Sequence, residues 1–384
     1  MHSAVKLACV GAMTVVTGCS TLSALNPFDK KAPRNPPAAL VDLAPTMTVR
    51  TAWTTSIGSA GTSIFSPAVV ADSVYVAAKD GALGRIESAS GRAVWRINAG
   101  VPLTAGVGAD ASTVAVVGPQ GAVMAFDTDG KLRWKAQASS EVLSAPAVGQ
   151  GLVVVRSVDN RIAAYDAQTG DRRWFLQRTS PALTLRAAPG IVITEQGVYV
   201  GLPGGRLVAL ALNNGGPRWG ATVADPRGAS ELERIADISG DPVVLGQSIC
   251  AASYQGRVGC FDTATGAPRW TKALSSDVGI GFDERFIFAA DENGAVNGFT
   301  REAGASVWRN DKLGYRRLSA PISIGRAVAV GDAQGYIHFM SREDGALLAR
   351  VATDGSAVTG NPKVAGANVI FQTKSGTVTA LAVE

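Results

Sequence analysis

The chain has 384 residues, with 36 Lys and Arg against 31 Asp and Glu and a formal net charge of +5. This small excess, with both signs dispersed along the chain, excludes the concentrated basic footprint of a nucleic-acid-binding protein. Only His2 and His338 are present, which excludes a multi-histidine metal centre; a Ser-His-Asp triad would have to use His338.

Residues 1–18 combine a basic start at Lys6, an apolar stretch too short to span a bilayer comfortably, and small residues before Cys19. That is the pattern of a secretory signal. The run Val16-Thr17-Gly18-Cys19 resembles the lipobox of bacterial lipoproteins. The resemblance implies that Cys19 becomes the acylated first residue and, with Ser20 following, that the protein is sorted to the outer membrane. Residues 19–46 hold Pro27, Pro33, Pro36, Pro37 and Pro45 with Lys30, Lys31 and Arg34, and almost no apolar periodicity. Such a segment is expected to be an extended, solvated tether. No later run reaches the ~18–20 apolar residues of a spanning helix.

From residue 47 to 384 the chain is repetitive. Seven tryptophans, at 53, 95, 134, 174, 219, 270 and 308, are spaced by 42, 39, 40, 45, 51 and 38 residues, and six have glycine four positions earlier. A period near forty with one aromatic signature marks an array of supersecondary units. In the third unit the runs Leu152 to Arg156 and Arg161 to Asp166 are bounded by Gln150-Gly151, Asp159-Asn160 and Gln168-Thr169-Gly170, and read as antiparallel hairpins. Each unit is therefore a four-stranded blade, its inner strand often marked by proline: Pro67, Pro146, Pro189, Pro242, Pro321 and Pro362.

The units count to eight, an all-β eight-bladed β-propeller. Its last unit, ending at Glu384, lacks an outer strand, whereas Thr48 to Trp53 is an outer strand with no blade before it. The N-terminal strand is predicted to complete the C-terminal blade and close the ring. In blade seven Gly345 is followed four residues on by Ala349 instead of tryptophan, so this blade is expected to dock less firmly.

Other candidate chemistry is sparse. Cys250 and Cys260 flank the Tyr254-Gln255-Gly256 turn symmetrically, which permits either a cross-strand disulfide or two buried thiols. Asp127-Thr128-Asp129-Gly130 and Asp291-Glu292-Asn293-Gly294 resemble the start of a calcium loop. Their twelfth positions are Ala138 and Glu302, the latter without the intervening ligand spacing, so both read as hairpin turns. Gly201-Leu202-Pro203-Gly204-Gly205 opens a strand and lacks the helix dipole of a phosphate site. Neither catalytic, metal nor cofactor-binding residues are assigned.

The Asp-x-x-x-Gly-x-x-x-Trp repeat resembles the tryptophan-docked propeller of quinoprotein alcohol dehydrogenases, which implies a periplasmic quinone-dependent oxidoreductase as an alternative. Those enzymes are longer and carry a vicinal disulfide, and no two cysteines are adjacent here. Over its whole length the chain resembles the BamB family, lipoprotein subunits of the machinery that assembles β-barrel proteins into the outer membrane. Leu183-Thr184-Leu185-Arg186 is similar to that family's Leu-Ser-Leu-Arg segment. Residues 230–239 are similar to its Ser-Thr-Glu-Ile-Asp-Arg-Leu-Ser-Asp-Val-Asp segment, whose final aspartate falls on Ser239. The resemblance implies a non-enzymatic scaffold, lipid-anchored on the periplasmic face of the outer membrane, that binds the POTRA repeats of the barrel-forming subunit and aids insertion of unfolded outer-membrane proteins. It implies partner contacts by Leu183, Leu185, Arg186, Glu231, Arg234 and Asp237. Spacing points to the same place. The 45- and 51-residue intervals reflect long connections, about 175–187 and 220–240, on one face of adjacent blades, and Leu183, Leu185 and Ile235 are apolar residues within them.

Overall fold

Short β-branched and small-residue runs, interrupted at close intervals by glycine and Asx turns, cannot sustain an amphipathic helix and fold as hairpins. The computed structural model describes residues 35–179, 181–185 and 189–384; the expected signal segment, Cys19 and the tether up to residue 34 lie outside them. The strands form eight antiparallel blades in chain order, and the two middle strands of blade three, Leu152–Arg156 and Arg161–Asp166, coincide with the runs read from the sequence. In blade two the inner strand Ala105–Ala109 also takes a short parallel partner, Ile64–Phe65.

Ring closure occurs as expected. The strand Val49–Ser56 lies on the outer edge of blade eight, antiparallel to Thr377–Val383, with Val49 opposite Val383 and Ser56 opposite Thr377. The third strand of that blade thus has a strand on each side, and the two ends of the propeller share one sheet.

The core is divided among the blade junctions. Clusters of buried apolar residues each lie between two neighbouring blades, such as Val123, Ala125, Val153 and Tyr165 between blades two and three. Each tryptophan caps such a junction. The indole N–H donates to a turn carbonyl of the following blade: Trp53 to Ser88, Trp95 to Thr128, Trp134 to Ala167, Trp174 to Leu212, Trp219 to Thr263, Trp270 to Arg301 and Trp308 to Arg342, at 2.7–3.0 Å. The ring lies on the repeat glycine of that same turn. At Gly170, with φ +80°, a Cβ would fall 2.7 Å from the Trp134 ring, so the position needs both a left-handed backbone and the absence of a side chain. The glycine and the tryptophan of one motif therefore serve different junctions. Gly345 receives Trp308 even though its own blade carries Ala349.

The missing tryptophan follows from ring closure. In every other junction the acceptor is a carbonyl in the turn joining the third and outer strands, and blade eight has no such turn because its outer strand comes from the N-terminal side. An indole at 349 would find no equivalent carbonyl. Instead Met47, 4% exposed, packs with Leu348, Ala349, Phe339 and Leu381 between blades seven and eight. Blade seven is thus not left with an open flank, although its junction lacks the indole of the others.

The last part of the expected tether is also corrected, because it is bound to the ring. Ala38 donates its N–H to the Gly314 carbonyl at 2.8 Å and accepts Arg316 Nη1 at 2.9 Å. Val41 O accepts Arg350 Nη2 at 3.0 Å. Thr46 donates to Leu348 O at 2.9 Å and accepts Arg326 Nη2 at 2.7 Å. This strap runs beside the outer strand Leu347–Ala352, whose edge would otherwise lack partners. Beneath it, Asp332 Oδ2 accepts Arg316 Nε at 2.7 Å and lies 2.8 Å from His338 Nε2, with all three side chains buried. His338 is wholly buried and cannot meet a substrate; it is part of the framework. Cys250 and Cys260, directly opposed on adjacent strands with Cα atoms 4.0 Å apart, form a disulfide, which decides between the two open readings.

Candidate partner-binding face

Connections that lead from an outer strand to the next inner strand all emerge on one face of the ring. Two are long. One joins Arg172–Gln177 to Ile191–Thr194, the other Pro217–Thr222 to Ile238–Leu245. Their length raises the question of what holds their backbone.

In the second connection, Ser230 and Glu233 form a reciprocal capping pair. The Ser230 hydroxyl accepts the Glu233 N–H at 3.3 Å, and the Glu233 carboxylate accepts the amides of Ala229 and Ser230 at 2.8 and 3.2 Å. This arrangement satisfies the first donors of a single helical turn. These hydrogen bonds hold the Glu233 carboxyl below its usual range, the Ser230 amide foremost. The turn presents Glu231, Leu232 and Arg234 outward, with Leu232 65% exposed and Glu231 paired to Arg234. With its carboxamide turned to donate, Gln255 reaches the carbonyls of Glu233 and Ile235 at 3.0 and 3.1 Å, tying the connection to the neighbouring hairpin of blade five.

Asp237 joins the two connections. It is 3% exposed; its Oδ2 accepts the Leu185 N–H at 2.7 Å and its Oδ1 accepts the Gly204 N–H at 3.0 Å. Burial pushes its carboxyl above the usual range, against the lowering effect of these two amides and of Arg156. Burial likewise lowers Arg156, with the Asp237 charge opposing. Asp237, expected as a partner contact, is enclosed here and holds the Leu185 and Gly204 amides. Ile235, 7% exposed, is core rather than anchor. Ser239, where the resembling segment has its last aspartate, is also buried and donates to the Ser276 carbonyl at 2.6 Å.

What remains outward lies on both connections. Leu183 is 48% exposed and Leu185 half-buried, on the loop that Asp237 holds; Arg186 lies outside the described residues. Glu231, Leu232 and Arg234 lie in the exposed run 225–234 of the neighbouring connection. Leu232 was not singled out from sequence, although a leucine inside a one-turn capping box has no core of its own to enter and is the signal that could have found it. Along the ring axis, inner strands line an opening of about 480 Å³ whose wall includes Asp241 and Lys363, with their charged groups 3.6 Å apart. The disulfide Cys250–Cys260 joins residues ten apart and is not vicinal.

Comparison with known proteins bears on this geometry. The profile of the family described as outer membrane protein assembly factor BamB matches residues 79–310 and 292–384. The outer membrane protein assembly factor BamB of Bordetella pertussis is 46% identical over 365 residues, 95% of this chain and 95% of that protein. The protein of the same name from Burkholderia pseudomallei is 39% identical over 376 residues, 98% of this chain and 97% of its own. Among solved structures, BamB from Moraxella catarrhalis superposes with a TM-score of 0.80 at 27% identity, covering 87% of this chain and all of that one. A quinohemoprotein alcohol dehydrogenase from Comamonas testosteroni shares the fold, with a TM-score of 0.69 at 15% identity over 87% of this chain and 76% of its own. Matched along nearly its whole length at these identities, the chain belongs to the family of outer membrane protein assembly factor BamB.

Proposed function

We propose that this protein is a non-enzymatic scaffold for the assembly of outer-membrane β-barrel proteins, and that the face of blades three to five binds the POTRA repeats of the barrel-forming subunit. The observation that carries this reading is the pair of long connections, locked together by Asp237 and presenting Leu183 and Leu232 to solvent. A plain hairpin ring needs neither the length nor the exposed leucines. Exposed apolar side chains with Glu231 and Arg234 beside Leu232 have the composition of an interface anchor. Relatives named as assembly factors support the same role.

The reading includes a lipid anchor at Cys19 on the periplasmic side of the outer membrane, with residues 1–18 removed. The strap supports this arrangement. It carries the chain to Gly314 and Arg316, on the face of the outer-to-inner connections. From Cys19 to Pro37 the chain can reach at most about 65 Å, which lets the ring stay near the membrane while its connections engage a partner.

Co-purification from detergent-solubilised envelope tests the assignment. A Leu183→Ala, Leu185→Ala, Arg186→Ala variant should keep its melting temperature and lose the POTRA-bearing partner, since loss of such an anchor costs about 2 kcal/mol or more, roughly thirtyfold in affinity. Substitutions in the short connection 99–103 are the control. Full retention of the partner by the folded triple variant would move the interface to another face.

A further inference from the structure

Some surface arginines are matched with carboxylates, such as Arg173 with Asp166, Arg269 with Asp262, Arg285 with Glu343 and Arg309 with Asp311, and others, such as Arg133 and Arg257, donate to threonine hydroxyls. Three arginines between blades three and four share one groove. Arg178, Arg206 and Arg218 line a groove of about 580 Å³ with Asn160, Gln177 and Trp219, and no carboxylate is found among its described lining residues. Arg206 donates to the Thr222 hydroxyl and Arg218 to the Gln196 carbonyl, both neutral acceptors. Arg178 Nε is buried without a hydrogen-bond partner.

Three arginines along one groove, with no carboxylate among its described lining residues, give it a positive potential that a bound anion would lower. Their planar donor sets match carboxylates in bidentate fashion. A volume of about 580 Å³ falls within the ~300–1,000 Å³ of sites that enclose sizeable ligands. It is several times what one phosphate would fill, which favours a length of chain bearing more than one carboxylate. The position agrees. Arg178 and Thr179 begin the connection that carries Leu183 and Leu185, so a polypeptide seated on those leucines lies beside the groove.

We infer that the groove between blades three and four is a docking site for an acidic polypeptide segment, in which two or more Asp or Glu side chains of the partner pair with Arg178, Arg206 and Arg218. The identity of that partner rests on the reading above, whereas the anion-binding chemistry of the groove stands without it.

The test uses full-length protein and two probes. Labelled hexaglutamate, followed by fluorescence anisotropy at low salt, should bind wild type and lose about tenfold or more in affinity to Arg206→Glu, Arg218→Glu, with Leu183→Ala, Leu185→Ala unchanged. Equal binding by wild type and the arginine variant, or none by wild type, overturns the site. Both arginines are exposed at the rim, so folding should survive; should the reversal unfold the ring, Arg206→Gln, Arg218→Gln must show the same ordering. Displacement by inorganic pyrophosphate at affinity equal to the peptide's would assign the groove to small anions and overturn the polypeptide reading. The second probe is the barrel-forming subunit in detergent. Its binding should weaken in the arginine variant at low salt, with the difference shrinking as salt is raised. Loss on leucine but not on arginine substitution removes the groove from the interface. Loss on neither refutes the partner assignment, and the peptide experiment still decides the groove.

Discussion

The carboxylate of Asp237 accepts the backbone N–H of Leu185 at 2.7 Å, joining two connections through residues 52 apart in sequence. Because the same side chain also holds Gly204, in the turn between the second and third strands of blade four, replacement should act on that turn and on the Leu185 loop at once. Asp237→Ala leaves two inward-facing donors without acceptors, at about 1–3 kcal/mol each. The expected result is a lower melting temperature, rapid hydrogen exchange at the Leu185 and Gly204 amides, and weakened partner binding without loss of any exposed contact. Unchanged protection of both amides would show that the loop is held by something else.

Blade seven offers a test of why its tryptophan is absent. Met47→Ala should destabilise the ring by about 2–5 kcal/mol, the range for deleting a buried methionine side chain, and Ala349→Trp should also destabilise it, by about 1–3 kcal/mol. The second change restores the repeat but competes with Met47 and Leu348 for one space. Thermal unfolding of both variants decides the point, and a stabilising Ala349→Trp would sink it.

Acid sensitivity should trace in part to His338. Burial lowers its pKa below the usual value, opposed by Asp332 beside it and assisted by the charges of Arg350 and Arg316. The unfolded chain therefore binds this proton more readily than the folded one, and stability falls as pH drops below about 6.5, the unfolded histidine value. Asp332 acts at lower pH. Burial works against its charge, but hydrogen bonds from His338, the Tyr336 amide and Arg316 outweigh that and hold its carboxyl below the usual range, so its contribution disappears as pH falls through the folded value. His338→Gln, which keeps a neutral donor, should flatten the melting temperature between about pH 6.5 and 5. An identical acid slope in wild type and variant would assign the effect to other groups.

The disulfide should matter to stability rather than to chemistry. It closes a loop with sequence separation 10 inside blade five, and its removal in Cys250→Ser, Cys260→Ser should cost about 2–3 kcal/mol on the chain-entropy account. Partner binding below the melting temperature should stay intact. Loss of binding by the folded double variant would show that the bond also orders the neighbouring connection.

Strand content, the count of eight blades and the closure by Thr48 to Trp53 were legible in the sequence, because each rests on local periodicity or on a missing unit that only one segment could supply. So were the long connections, which stretch the tryptophan spacing to 45 and 51 residues. Residue roles within those connections were less accessible. Ile235 and Asp237 read as exposed because a loop is usually solvated, yet the tertiary structure turns both inward, where the carboxylate meets amides from two other segments. The strap was hidden for a similar reason. Proline-rich composition indicates an extended chain but not whether an edge lies beside it, and only the assembled ring places Leu348, Arg350 and Arg326 along residues 38–46. Periodicity is written within each repeat and can be read there, whereas burial of a polar or irregular segment depends on surfaces contributed by residues far away in the chain.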